Sequence, residues 1–63
     1  MKLTKIIEMS LYPIDIIEYY NENLTFLYSF ERDEIPEDCQ DKVAKFNIYS
    51  GAKGTVLEII EKK

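Results

Sequence analysis

Leu24-Thr25-Phe26-Leu27-Tyr28-Ser29-Phe30 sets Leu24, Phe26, Tyr28 and Phe30 against Thr25, Leu27 and Ser29 with a period of two. That is the period of a pleated strand, in which successive side chains leave opposite faces. Just before it, Asn21-Glu22-Asn23 has the polar, left-handed-tolerant chemistry of a tight turn, and Ile14 to Tyr20 is dense in β-branched and aromatic residues. The two runs read as a hairpin. A three-residue loop pairs Tyr20 with Leu24, Glu18 with Phe26, Ile16 with Tyr28 and Ile14 with Phe30. In that register Glu18 shares a face with the apolar set, and Asp15, Ile17, Tyr19, Thr25, Leu27 and Ser29 take the other. A helix is the competing reading of Ile14 to Tyr20, because Ser10 suits a cap, Pro13 a first turn, and Ile16, Tyr19 and Tyr20 share a helical face.

Outward from this hairpin, Lys2 to Leu11 reads as a further strand rich in Leu and Ile, and Tyr12-Pro13 marks a bend, since a residue before proline is pushed to extended geometry. Lys45 to Tyr49 and Thr55 to Glu61 flank Ser50-Gly51-Ala52-Lys53-Gly54, the one place where the chain uses glycine, and read as a second hairpin. Between the hairpins, Pro36 suits a first helical position, with Glu37, Asp38 and Asp41 at the positive end of the dipole and Lys42 and Lys45 at the negative end. Cys39, Val43 and Phe46 form a stripe, so a short helix starts at Pro36 and ends before Phe46. The expected fold is a single mainly β (or α+β) domain over residues 1–63. It has about five short strands in a twisted antiparallel sheet or barrel-like arrangement, and one short helix after Pro36.

Charge is concentrated in one place. Glu31, Asp33, Glu34, Glu37, Asp38 and Asp41 surround the single base Arg32, so this segment holds six of the chain's twelve acidic side chains and carries −5, while the other residues, with six acids and seven bases, sum to +1 and bring the net charge to −4. A focused negative patch repels nucleic acid and attracts basic surfaces. An EF-hand-type calcium site is not indicated, because the segment lacks both the ligand spacing and the glycine such a loop requires.

Other chemistries are constrained by what the sequence lacks. One cysteine, Cys39, cannot close an internal disulfide, and without histidine the usual ligand set of a structural zinc is missing. Acid–base catalysis would fall to carboxylates, lysines or tyrosines, and no pair among them stands out. Cys39 reads as a buried structural thiol, since the neighbouring acids oppose a thiolate. Glu18 is the one carboxylate whose burial would raise its pKa, with an exposed edge or a register slip as the simpler account. The aromatics Tyr19, Tyr20, Tyr28, Phe26, Phe30 and Tyr49 suit a core or subunit interface better than a nucleic-acid stacking platform, because no lysine or arginine lies between Lys5 and Arg32. No cofactor is expected. Met1 to Ser10 has no apolar run of signal-peptide length, and no stretch approaches a membrane span, so the expected location is the cytoplasm.

Gly51-Ala52-Lys53-Gly54-Thr55-Val56-Leu57-Glu58-Ile59 resembles the glycine loop and exit strand of the KOW motif, found in small SH3-like barrels of ribosomal and transcription-elongation proteins. The likeness covers nine of 63 residues. KOW modules carry more basic neighbours and further strands after the loop, and Ser50 stands where a basic residue is usual. The segment is therefore read as a generic tight hairpin, without carrying over RNA binding.

Two functions are expected as alternatives. The first is a noncatalytic protein-binding module presenting Glu31, Asp33, Glu34, Glu37, Asp38 and Asp41 to a basic partner, as an inhibitor or decoy of a host nucleic-acid-handling or defence protein of the kind phages and mobile elements encode. It would act as a homodimer through Ile14, Ile16, Tyr19, Tyr20 and Tyr28, because a chain this small leaves sheet edges open. The second is an SH3-like nucleic-acid-binding module using Lys45 and Lys53.

Overall fold

The computed structural model describes residues 2–62. A helix α1 (Leu3–Met9) precedes four strands: β1 (Ile16–Tyr20), β2 (Phe26–Glu31), β3 (Val43–Gly51) and β4 (Gly54–Glu61). They form one sheet in the order β2-β1-β4-β3. Both hairpins are present and antiparallel, but β1 and β4 meet side by side in parallel, Ile17 beside Leu57 and Tyr19 beside Ile59. The domain is thus small and mainly β as expected, with four strands in a mixed sheet.

Lys2 to Leu11 is where the fifth strand was expected, and it is helical instead. Leu3 and Ile6 are spaced three apart, lie on one helical face, and are both buried. A seven-residue helix has little stability of its own, and no side chain at Lys2 caps it. The cap comes from far along the chain. The Gln40 carbonyl accepts the Leu3 N–H at 2.9 Å, and Gln40 Oε1 accepts the Thr4 N–H at 3.1 Å and its hydroxyl at 2.6 Å. These contacts satisfy donors that every helix start leaves open.

The first hairpin keeps its strands but not its expected register. Ile17 faces Phe30, Tyr19 faces Tyr28, and after a bulge Tyr20 faces Phe26. Asn21 explains the shift: its Oδ1 accepts the N–H groups of Asn23 and Thr25, and its own N–H reaches the Thr25 carbonyl. The turn therefore runs to Thr25 and draws in Leu24, which takes a left-handed φ of 66°. An odd register change moves every side chain to the other face. Tyr19 and Ile17 join Tyr28 and Phe30 on one side, leaving Glu18 and Tyr20 on the opposite side.

The second hairpin turns through Ala52-Lys53, with Gly51 opposite Gly54. Gly54 has φ +113°, and a Cβ there would lie 2.2 Å from Asp15 Oδ2. That carboxylate accepts the Thr55 N–H at 2.9 Å, while the Asp15 N–H donates to the Thr55 carbonyl at 2.9 Å. Glycine at 54 thus serves both the turn and the approach of β1 to β4.

One side of the sheet is covered and the other is open. Leu3 and Ile6 of α1, Ile14, Cys39 and Val43 pack with Ile17, Tyr19, Leu57 and Ile59, and Ile7, Tyr28, Phe30 and Ile35 flank this core. The open side carries Ile16, Glu18 and Tyr20 of β1, Glu58 and Ile60 of β4, and Lys45, Asn47 and Tyr49 of β3, as the strand registers dictate. Of the helix expected after Pro36 only a single 3₁₀ turn remains, Glu37–Cys39, and another such turn, Arg32–Glu34, precedes the proline. Lys42 and Lys45 therefore close no helix; Val43 and Phe46 belong to β3.

Candidate functional site

Glu31 ends β2, Asp33 and Glu34 lie in the first 3₁₀ turn, Glu37 and Asp38 in the second, and Asp41 just beyond it. All six carboxylates are exposed. The only ion pair within the segment joins Arg32 Nε to Asp33 at 3.8 Å, and its high exposure makes it weak. Among the described residues no group of acidic or thiol side chains is arranged to hold a metal ion.

The backbone beneath these charges is tied down. At its start the Arg32 N–H donates to the Asp15 carbonyl at 3.3 Å. In the middle Ile35 packs against the core, and Cys39 is buried at 4 % exposure. Tyr19 reaches through the core to donate its hydroxyl to the Cys39 carbonyl at 2.8 Å. Gln40 then grips the start of α1, and the Lys42 carbonyl accepts the Lys62 N–H at 2.8 Å. Anchoring of this kind fixes the backbone positions from which the charged side chains project instead of leaving them on a loose loop.

A polar chain runs beside this anchorage. The Tyr28 hydroxyl donates to Glu61 Oε2 at 2.6 Å and lies 3.6 Å from Cys39 Sγ. Its proton is committed to Glu61, so the thiol is left as donor to the Tyr28 oxygen. Lys42 Nζ approaches the same Glu61 oxygen at 3.8 Å. Burial, then the bonds to Glu61 and Cys39, push the Tyr28 phenol far above its ordinary range. Burial does the same for Tyr19, reinforced by Cys39 and Glu61. Both phenols stay protonated and structural.

On the open side Glu18 is a hub. Its Oε1 accepts the hydroxyls of Tyr20 and Tyr49, each at 3.0 Å, and Asn47 donates to Glu58 at 3.1 Å. Desolvation and the bond to Glu18 push Tyr20 up to about 12, and the same carboxylate raises Tyr49. Tyr20, Leu24, Lys45, Phe46, Asn47, Glu58 and Ile60 line a groove of about 260 Å³ on this part of the sheet.

The residues expected at a subunit interface are divided by this geometry. Ile14 and Tyr19 are fully buried in the chain's own core, and Tyr28 packs against it. Ile16 and Tyr20 lie on the open side of β1, which is a central strand with both edges paired, so β1 offers no edge to a second copy. The reason is the parallel pairing with β4, which a period-two pattern cannot reveal. Sequence reasoning also missed Gln40, Tyr19 and Asp15 as anchors of the acidic segment. Each acts on backbone at least fifteen residues away in the chain, and no local motif marks it.

No protein family, curated protein or solved structure matches this chain. No described helix is long and apolar enough to cross a membrane.

Proposed function

We propose that this protein is a noncatalytic, cytoplasmic protein-binding module that presents its acidic connector to a basic surface. Inhibition or decoy of a nucleic-acid-handling protein is the sharpest form of the reading, because spaced carboxylates on an anchored backbone can occupy a groove built for a phosphate backbone. The observation that carries it is the combination of six exposed carboxylates with a backbone held at both ends and through Cys39. A segment that only needed to remain solvated has no need of such anchoring.

The test compares wild type with a Glu34→Gln/Glu37→Gln/Asp38→Asn variant in pull-downs from the native host, followed by binding titrations with the captured protein at rising salt. Loss of the partner in the variant, and weakening with salt for wild type, are the expected results. Equal partner sets for the two proteins overturn the reading. Salt-dependent binding of RNA or DNA by the isolated protein, lost on changing Lys45 and Lys53, would instead favour the nucleic-acid alternative.

A further inference from the structure

The sheet has two edges, and they are defended differently. At β2 a bulge at Leu27 leaves only Tyr28 to Glu31 in regular pairing, and the strand runs straight into Glu31, Arg32, Asp33 and Glu34. Bulges and charges are the devices by which sheet edges avoid pairing with other chains. β3 has its irregularity and its one charge, Lys45, near its start. From there Phe46-Asn47-Ile48-Tyr49-Ser50-Gly51 runs regularly, uncharged, and exposed at every residue. One side of this strand is hydrogen-bonded to β4 and the other has no strand beside it.

Beyond the buried Val43, the covered-side residues of β3 are only partly covered. Phe46 and Ile48 pair with Ile59 and Leu57 and so face α1, yet they remain 45 % and 37 % exposed, beside an exposed Met9. An apolar stripe thus lies along an unpaired edge.

We infer that β3 pairs antiparallel with β3 of a second copy, across a two-fold axis at Asn47. This register sets Phe46 against Ile48 of the other copy, and Ile48 against its Phe46, so the two apolar stripes fuse beside the helices. Lys45 falls opposite Tyr49 and avoids its own counterpart. Because the strands run in opposite directions, the Asp41 end of each copy lies toward the Lys53 turn of the other, which brings opposite charges together at each end of the joined strands. The match of the strand to its own reverse, in both apolarity and charge, selects a second copy over an unrelated extended peptide. The result is a continuous eight-stranded sheet with the undefended edges at its centre and the bulged, charged β2 edges outermost.

Sedimentation of the purified protein over a concentration series tests this without any basic partner, and the three-site carboxylate variant above leaves Asp41 intact, so the two proposals fail separately. Wild type is expected to sediment as a dimer and Ile48→Lys as a monomer with an unchanged circular dichroism spectrum. Asn47→Cys is expected to form an interchain disulfide under mild oxidation, since its thiol would face its own copy across the axis, whereas Ser29→Cys on β2 and wild type, with buried Cys39, do not. Asp41→Lys is expected to weaken the dimer about tenfold, and adding Lys53→Asp to restore it. A monomer at every concentration, or a dimer that crosslinks through Ser29→Cys and not Asn47→Cys, overturns the proposal.

Discussion

The two sides of the sheet use the same chemistry to different ends. On the covered side Tyr28 donates to Glu61, and on the open side Tyr20 and Tyr49 donate to Glu18. Each side also has aromatic contacts: Tyr19 stacks on Tyr28 with centroids 5.2 Å apart, and Tyr20 meets Phe26 edge-on at 5.7 Å. What differs is the cover. On the covered side the tyrosines are wedged under α1 and the connector, so their hydroxyls fix backbone and core; on the open side they lie on a sheet surface that no described helix covers.

Core truncation should separate the sides most widely. Ile59→Ala, at a fully buried covered-side position, is expected to cost about 2–5 kcal/mol in chemical denaturation. Ile60→Ala on the open side should cost under about 1 kcal/mol, because partly exposed methylenes leave little cavity. Similar losses for both would mean that the open side is packed against something in solution. A smaller contrast is expected for hydroxyl deletion. Tyr19→Phe strips the buried Cys39 carbonyl of its side-chain donor and should cost about 1–3 kcal/mol, while Tyr49→Phe should stay within about 0.5 kcal/mol.

Alkaline pH sharpens the comparison further. Tyrosine in an unfolded chain ionises near pH 10, and every raised phenol here holds its proton more tightly when folded. Above pH 10 the unfolded state releases these protons first, so stability is intact below that value and falls as pH rises. Tyrosinate absorbance should show Tyr20 ionising at about 12, with Tyr19 and Tyr28 ionising only on unfolding. Tyr19→Phe should flatten the alkaline fall in the denaturation midpoint. The smallest effect is reserved for Glu18→Gln, which should lower the pH at which Tyr20 and Tyr49 ionise and leave stability nearly unchanged, checked by the same absorbance titration.

Much of the fold could be read in the residues. Phe26 to Phe30 lies in a strand, although a bulge at Leu27 turns Phe26 to the other face from Tyr28 and Phe30; the glycines bracket a hairpin turn, and Cys39 is buried as expected of a lone thiol among acids. Three things could not be read. The register of the first hairpin depends on Asn21 closing a longer turn and forcing Leu24 to positive φ, against its branched side chain. The helix at Leu3–Met9 depends on a cap donated by Gln40. The central place of β1 depends on a parallel partner some forty residues away. At the acidic segment the carboxylates were visible as charge, whereas the anchoring that fixes them comes from Asp15, Tyr19 and Gln40 and belongs to the tertiary structure.

That parallel pair bears on how the molecule comes into being. β4 follows every other described strand in the chain yet lies between β1 and β3 at the centre of the sheet. Until it arrives, the first hairpin has no neighbouring strand beyond its own two, and the core that Leu3 and Ile6 of α1 join lacks Leu57 and Ile59. Two-stranded hairpins and seven-residue helices are marginal alone, so a chain emerging from the ribosome cannot consolidate in stages. Its assembly should be a single late event limited by closure of the β1 to β4 loop, and any lesion in Gly54 to Glu61 should be felt by the whole domain at once.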